Sequence, residues 1–151
     1  MQFRELEFVL GYKRPEMLRH HEEHAAAFDV LTRRLGERSV VDHFYDFLEH
    51  HDVTIPAALR EKDIAAPTEA NEVVQDQLLD LYKTRPDLVI LFELMTDFDE
   101  GLQEWRYRHV KVVERTIGAK RGTGGSPGIA FLKQSLFKAI FPDLWAIRHR
   151  L

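Results

Sequence analysis

The sequence predicts an all-α protein, a helical bundle with one long central helix, and three observations carry that prediction. Apolar residues recur three and four apart along most of the chain. Strand-type alternation is nearly absent, and glycine and proline fall where the helical patterns start or stop. With 151 residues the chain is one domain's worth, a single all-helical domain over 1–151, long enough to bury a core.

Phe3, Leu6, Val9 and Leu10 give the first helix one apolar face, and Gly11 stops it as a glycine just past a helix does. Only Met1 and Gln2 precede that face, with no Ser, Thr, Asp or Asn to accept from the first N–H groups. The segment therefore reads as the tail of a longer helix, and the chain as a piece of a longer protein. Pro15 suits the first position of a short helix ending near Arg19. Ala25 to Leu35 is helical by propensity, with Phe28, Leu31 and Leu35 on one face and Gly36 as its stop. Ser39 caps the next helix, whose predicted stripe is Val40, Val41, Phe44, Phe47 and Leu48.

Val53-Thr54-Ile55 is extended because Ile55 precedes Pro56, which opens a turn of helix through Leu59. Lys62 to Pro67 is a loop. Thr68 then caps a helix through Tyr82, with Val73, Val74, Leu78 and Leu81 inside. Pro86 starts the long helix, roughly 32 residues and so about 48 Å. Along it Leu88, Leu91, Met95, Phe98, Leu102, Trp105, His109, Val112 and Thr116 mark a predicted buried seam, and Gly118 closes it. A glycine-dense loop follows, Gly122-Thr123-Gly124-Gly125-Ser126-Pro127-Gly128, and Ile129–Ile140 and Pro142–His149 are two closing helices.

Composition narrows the function classes. The 21 basic and 25 acidic residues nearly balance, at a net −4, which argues against the clustered basic face that nucleic acid needs. There is no cysteine, so disulfides and thiolate metal sites are excluded, and a reducing, cytoplasmic setting is expected. No apolar run reaches the ~18 residues of a membrane span.

Three places carry chemistry. His109 takes an apolar slot of the long helix, where periodicity allows either a hydrogen-bonded core histidine or a haem ligand with Trp105 one turn before it on the same face. Lys120 to Gly128 reads either as an anion-binding turn rich in backbone N–H groups, with the Thr123 hydroxyl able to donate and accept, or as a linker. It is neither a Walker loop, lacking Gly-Lys-Ser/Thr, nor a dinucleotide loop, lacking a preceding strand. Arg4 offers a fork for a carboxylate, or is a solvated or interface arginine. His20, His21 and His24 with Glu22 and Glu23 lack the His-Glu-x-x-His pattern and read as a solvated turn, and His50-His51 as a helix C-cap.

The run Trp105-Arg106-Tyr107-Arg108-His109-Val110, then Val113-Glu114-Arg115, Gly118, Lys120 and Gly122-Thr123-Gly124-Gly125-Ser126, resembles the haem-dependent tryptophan 2,3-dioxygenase family. The opening Gln2-Phe3-Arg4-Glu5-Leu6-Glu7-Phe8-Val9-Leu10-Gly11 and the closing Phe141-Pro142-Asp143-Leu144-Trp145 resemble it too, at the expected distances. The likeness covers essentially the whole chain but only the C-terminal part of a family member. It implies haem b iron as cofactor, with His109 as the proximal ligand and Trp105 and Gly125 beside the cofactor. It implies L-tryptophan and O2 as substrates, Arg4 on the substrate carboxylate, Thr123 on its head group, N-formylkynurenine as product and a homotetramer. No catalytic acid or base is implied. The chain departs from the family at Pro127, where a serine is usual, and holds no His-Gln pair of the distal wall. A catalytically incomplete helical oligomer, or a haem-binding module that keeps the fold, is the other reading.

Overall fold

The computed structural model describes residues 2–118, 132–133 and 135–151. Seven α-helices lie within them: α1 (Gln2–Leu10), α2 (Ala25–Leu35), α3 (Val40–Glu49), α4 (Ala57–Arg60), α5 (Glu72–Thr84), α6 (Pro86–Ile117) and α7 (Pro142–Ala146). Two 3-10 segments, Pro15–His21 and Arg148–Arg150, complete the described elements, among which there is no strand.

Local chemistry explains most of the boundaries. Ser39 caps α3 in a reciprocal box: Asp42 N donates to Ser39 Oγ at 3.3 Å, and Ser39 N donates to Asp42 Oδ2 at 2.7 Å. Ser39→Ala is expected to lower unfolding free energy by about 1 kcal/mol, read from urea denaturation. Gly11 ends α1 with φ +113°, and a Cβ there would meet Val41 Cγ2 at 3.0 Å, so both the turn and the approach of α3 require glycine. His50 is the C-cap of α3, its ring Nδ1 lying 2.6 Å from Asp46 O. Pro86 opens α6 as the pattern predicts, and the helix runs 32 residues to Gly118.

Some expectations give way. Asn71, not Thr68, caps α5, its side chain accepting from Val73 N, because the segment before it is tied elsewhere by the bond from Asn71 N to Asp143 Oδ1. Of the predicted inner face of α5, Val74 and Leu78 are buried and Leu81 packs against the core, whereas Val73 is exposed and Leu79 is buried instead. Leu6 and Val40, predicted inside, are exposed. The predicted closing helix from Ile129 does not continue to Ile140: Ser135–Phe137 form a turn. The second closing helix splits into α7 and the 3-10 segment.

The largest departure concerns α6. Its buried residues are Leu88, Phe92, Thr96, Asp99, Leu102, Arg106 and Val110, whereas Leu91, Phe98, Trp105 and Val112 of the predicted seam are exposed. The reason is geometric. The exposed set is a single heptad position that lies off the core side from its first member, Leu91, and the drift of about 20° per heptad between a straight helix and a 3.5-residue repeat carries its later members farther out. Asp99 and Arg106 also disguise the true stripe, since a charge is buried only when paired.

The main core joins Leu10, Phe44, Leu48, Leu78, Phe92 and Leu144 between α1, α3, α5, α6 and α7. A smaller cluster of Phe8, Met17, Leu31 and Leu35 holds α1 on α2. Asp99, fully buried, accepts from Ile140 N (2.8 Å), Phe141 N (3.1 Å) and Trp145 Nε1 (3.0 Å), and so fastens the C-terminal segment to the middle of α6. No helix among the described residues is long and apolar enough to cross a membrane.

Candidate functional site

Helix α1 meets the second half of α6 through aromatic stacking. The Phe3 ring lies 4.0 Å from that of Trp105 at an interplanar angle of 24°, and Trp105 lies 5.1 Å from His109 at 7°. Positions 105 and 109 are one helical turn apart, which places the indole and imidazole one above the other. The three rings form a ladder along the open side of α6, with Trp105 42% exposed and His109 exposed. The core-histidine alternative for His109 is therefore not what the structure has: this imidazole is not sealed among apolar neighbours.

Beside the ladder runs an apolar groove of about 620 Å³, lined by Phe3, Leu6, Phe98, Gly101, Leu102 and Trp105. A Cβ at Gly101 would meet no atom within 4 Å, so the groove floor is open at that point. A second apolar groove of about 480 Å³ continues along α6 past Leu91, Leu94, Met95 and Phe98 to Val40 on α3.

Arg4, next to Phe3, is neither a solvated arginine nor remote from the ladder. Its Nη1 donates to Glu7 Oε2 at 2.5 Å, and its side chain is 15% exposed. Glu7, 1% exposed, also accepts from Arg14 Nη2 at 3.0 Å and faces Arg106 Nε at 3.6 Å. Arg106 in turn donates from Nη1 to Lys138 O at 2.6 Å. The Arg14 and Arg106 guanidiniums lie 4.6 and 5.3 Å from the centre of the Tyr12 ring. Burial pushes the Glu7 carboxyl above the usual carboxylate range, and the guanidiniums of Arg4 and Arg106 act against that shift. Burial, and then the Glu7 charge, hold the Tyr12 hydroxyl up as well.

The stacking of Phe3 on Trp105 thus sets α1 beside the half of α6 that carries His109; Trp105 and His109 lie on the open side of α6, and Arg4 pairs with Glu7 beside the buried Arg106. Thr123 and Gly125 lie outside the described residues, as does the rest of the loop from Lys120 to Gly128. Among the described residues no three His, Asp or Glu side chains, those of His20, His21 and His24 included, converge as metal ligands would. Sequence reasoning missed Glu7, Arg14 and Arg106. Two signals were there to find them: Glu7 stands three residues after Arg4 on one helix, the spacing of an ion pair, and Arg106 falls on the 3.6-residue track through Leu88, Phe92, Asp99 and Val110.

A family model described as tryptophan 2,3-dioxygenase matches residues 80–151. A tryptophan 2,3-dioxygenase of Herpetosiphon aurantiacus is 47% identical over 148 residues, covering 98% of this chain and 56% of that protein. Those of Anaeromyxobacter sp. strain K and Ralstonia pickettii are 40% and 34% identical over 150 residues, covering 99% and 97% of this chain and 56% and 54% of theirs. The chain spans about half the length of the curated relatives it matches.

Proposed function

Starting from a chain that is homologous to the tryptophan 2,3-dioxygenases over nearly its whole length, we propose that it forms the haem-holding and carboxylate-binding part of such an enzyme. The substrates are L-tryptophan and O2, and the product is N-formylkynurenine. The observation that carries this reading is the ladder of Phe3, Trp105 and the exposed His109 beside the apolar groove, with Arg4 adjoining Phe3.

The residues present fit haem b. Such a group would take a nitrogen donor on an accessible side chain and a flat apolar wall. The His109 imidazole supplies the nitrogen, and the Trp105 indole with the groove supplies the wall. When bound, haem iron supplies the centre at which O2 is activated. The chain's own residues do the rest. His109 offers an imidazole nitrogen, while Arg4 holds the substrate carboxylate in its guanidinium fork. Thr123 and Gly125 act from the glycine-rich loop, on the amino-acid head group and the cofactor respectively. Holding the charged end fixes where the indole lies, and positioning of this kind is worth several kcal/mol of barrier. The four residues bind and orient; none of them moves a proton in this scheme.

The exposed apolar residues along α6, with Leu6 and Val40, support assembly into a homotetramer, since large contiguous apolar faces mark contact surfaces. The absence of cysteine agrees with a cytoplasmic setting. A haem-binding helical oligomer without turnover is the second reading.

The two readings separate on the haem-reconstituted protein. A Soret band that is lost in His109→Ala, shifts on adding L-tryptophan and accompanies N-formylkynurenine formation supports the enzyme. The same band without product supports the module. Wild-type protein with no Soret band overturns haem ligation by His109.

A further inference from the structure

The buried carboxylate of Glu7 is unexplained by anything said of the site so far. A helix packing α1 against α6 has no need of it, because an apolar side chain of similar volume serves packing as well without the desolvation cost. Glu7 is nonetheless 1% exposed and bound from three directions. Its Oε2 receives Arg4 Nη1 and Arg14 Nη2, and its Oε1 faces Arg106 Nε. Arg14 belongs to the segment after α1 and Arg106 to α6, so two separate elements fix the direction of the carboxylate. Arg4 sits one turn before Glu7 on α1.

Exposure rises outward through the cluster. The Glu7 and Arg106 side chains are 1% and 3% exposed, Arg14 11% and Arg4 15%. Arg4 is thus the outermost cation and the nearest in sequence to the stacked Phe3. Guanidinium groups stay charged in proteins, so the cluster gathers three positive charges around one carboxylate.

We propose that Glu7 is a positioning residue for substrate recognition. Anchored by Arg14 and Arg106, it takes one nitrogen of Arg4 and thereby sets the plane in which the guanidinium meets the carboxylate of the amino-acid substrate. The inference rests on the role given to Arg4 above. A guanidinium forks a carboxylate only when the two planes match, so orientation decides affinity as much as charge does.

The test is calorimetric titration of the haem-reconstituted chain with L-tryptophan and with tryptamine, which lacks the carboxylate. Glu7→Gln keeps the size of the side chain and removes its charge. Its L-tryptophan affinity is expected to fall about 10-fold, the loss of one charge-assisted contact, with tryptamine binding unchanged. Glu7→Asp retains the charge one methylene further back and is expected to lose about 3-fold, and this variant decides the matter if Glu7→Gln does not fold. Equal losses for both ligands mean a merely structural glutamate and overturn the proposal. So does wild-type affinity in Glu7→Gln, or in Glu7→Asp where that variant decides, while Arg4→Ala is impaired; the role of Arg4 then stands. Wild-type affinity in Arg4→Ala, or no tryptophan binding by the unsubstituted chain, removes the reading of Arg4 itself and this inference with it.

Discussion

Asp99→Ala is expected to lower the unfolding free energy by about 4 kcal/mol, because it leaves three buried donors without their acceptor at about 1–3 kcal/mol each, partly relieved by relaxation. The donors are Ile140 N, Phe141 N and the Trp145 indole, all held by the single oxygen Oδ2. Against a total of about 5–15 kcal/mol for a domain, such a loss is a large share of the stability. The effect reaches the site. Ile140, Phe141 and Leu144 of the fastened segment pack in the core against α6, and Lys138 O, just upstream, receives Arg106. Releasing that segment therefore loosens Arg106 and with it Glu7. Asp99→Asn keeps a carbonyl oxygen for the same donors and should cost only about 1–2 kcal/mol. Urea denaturation of both variants, followed by far-ultraviolet circular dichroism, measures the difference. An alanine variant within about 1 kcal/mol of wild type would show that the segment is held by apolar packing alone.

The Lys13→Met substitution carries the second large effect. Lys13 is 1% exposed, and its ammonium donates to Leu35 O at 2.9 Å, to Ile64 O at 2.7 Å and to Glu37 O. These carbonyls belong to the end of α2 and to the loop before α5, where the helix's own N–H donors have run out. Methionine keeps the apolar stem and removes the donor, leaving three carbonyls to find water, and the expected loss is about 3 kcal/mol. The α1–α2 contact weakens as a result, since Arg34 near the end of α2 pairs with Glu5 of α1 at 3.0 Å. Burial also holds the Lys13 ammonium below the ordinary lysine range. The folded state then releases its proton before the unfolded state does. Between the lowered value and the ordinary 10.5, stability of the wild type relative to Lys13→Met should rise with pH. Denaturation midpoints measured from neutral to mildly alkaline pH report this, and a falling difference contradicts it.

Residues close together in the sequence reported the elements well. Pro86 and Gly118 bracket a helix of the predicted length, Ser39 makes the box that its type suggests, and Gly11 and Gly36 end their helices. Thr68 was misread because a hydroxyl near a helix start resembles a cap whether or not the chain turns there; the bond from Asn71 N to Asp143, 72 residues away, placed that start. The candidate site was legible in part. Arg4, Trp105 and His109 were named from the sequence, and the stacking of Phe3 on Trp105 that sets α1 beside α6 was not, because nothing local links position 3 to position 105.

What the sequence determined alone was the all-α class and the length of α6, and it named the candidate side chains for a cofactor or a carboxylate. Caps, stops and propensities act within one helical turn, so neighbouring residues are enough to set them. Which face of α6 is buried was decided only in three dimensions. Asp99 and Arg106 turn inward because polar groups 32 to 46 residues downstream, and for Arg106 the Glu7 carboxylate of α1, close over them and offset part of the cost of burying charge. That choice turns Trp105 and His109 outward, onto the open face where α1 brings Phe3.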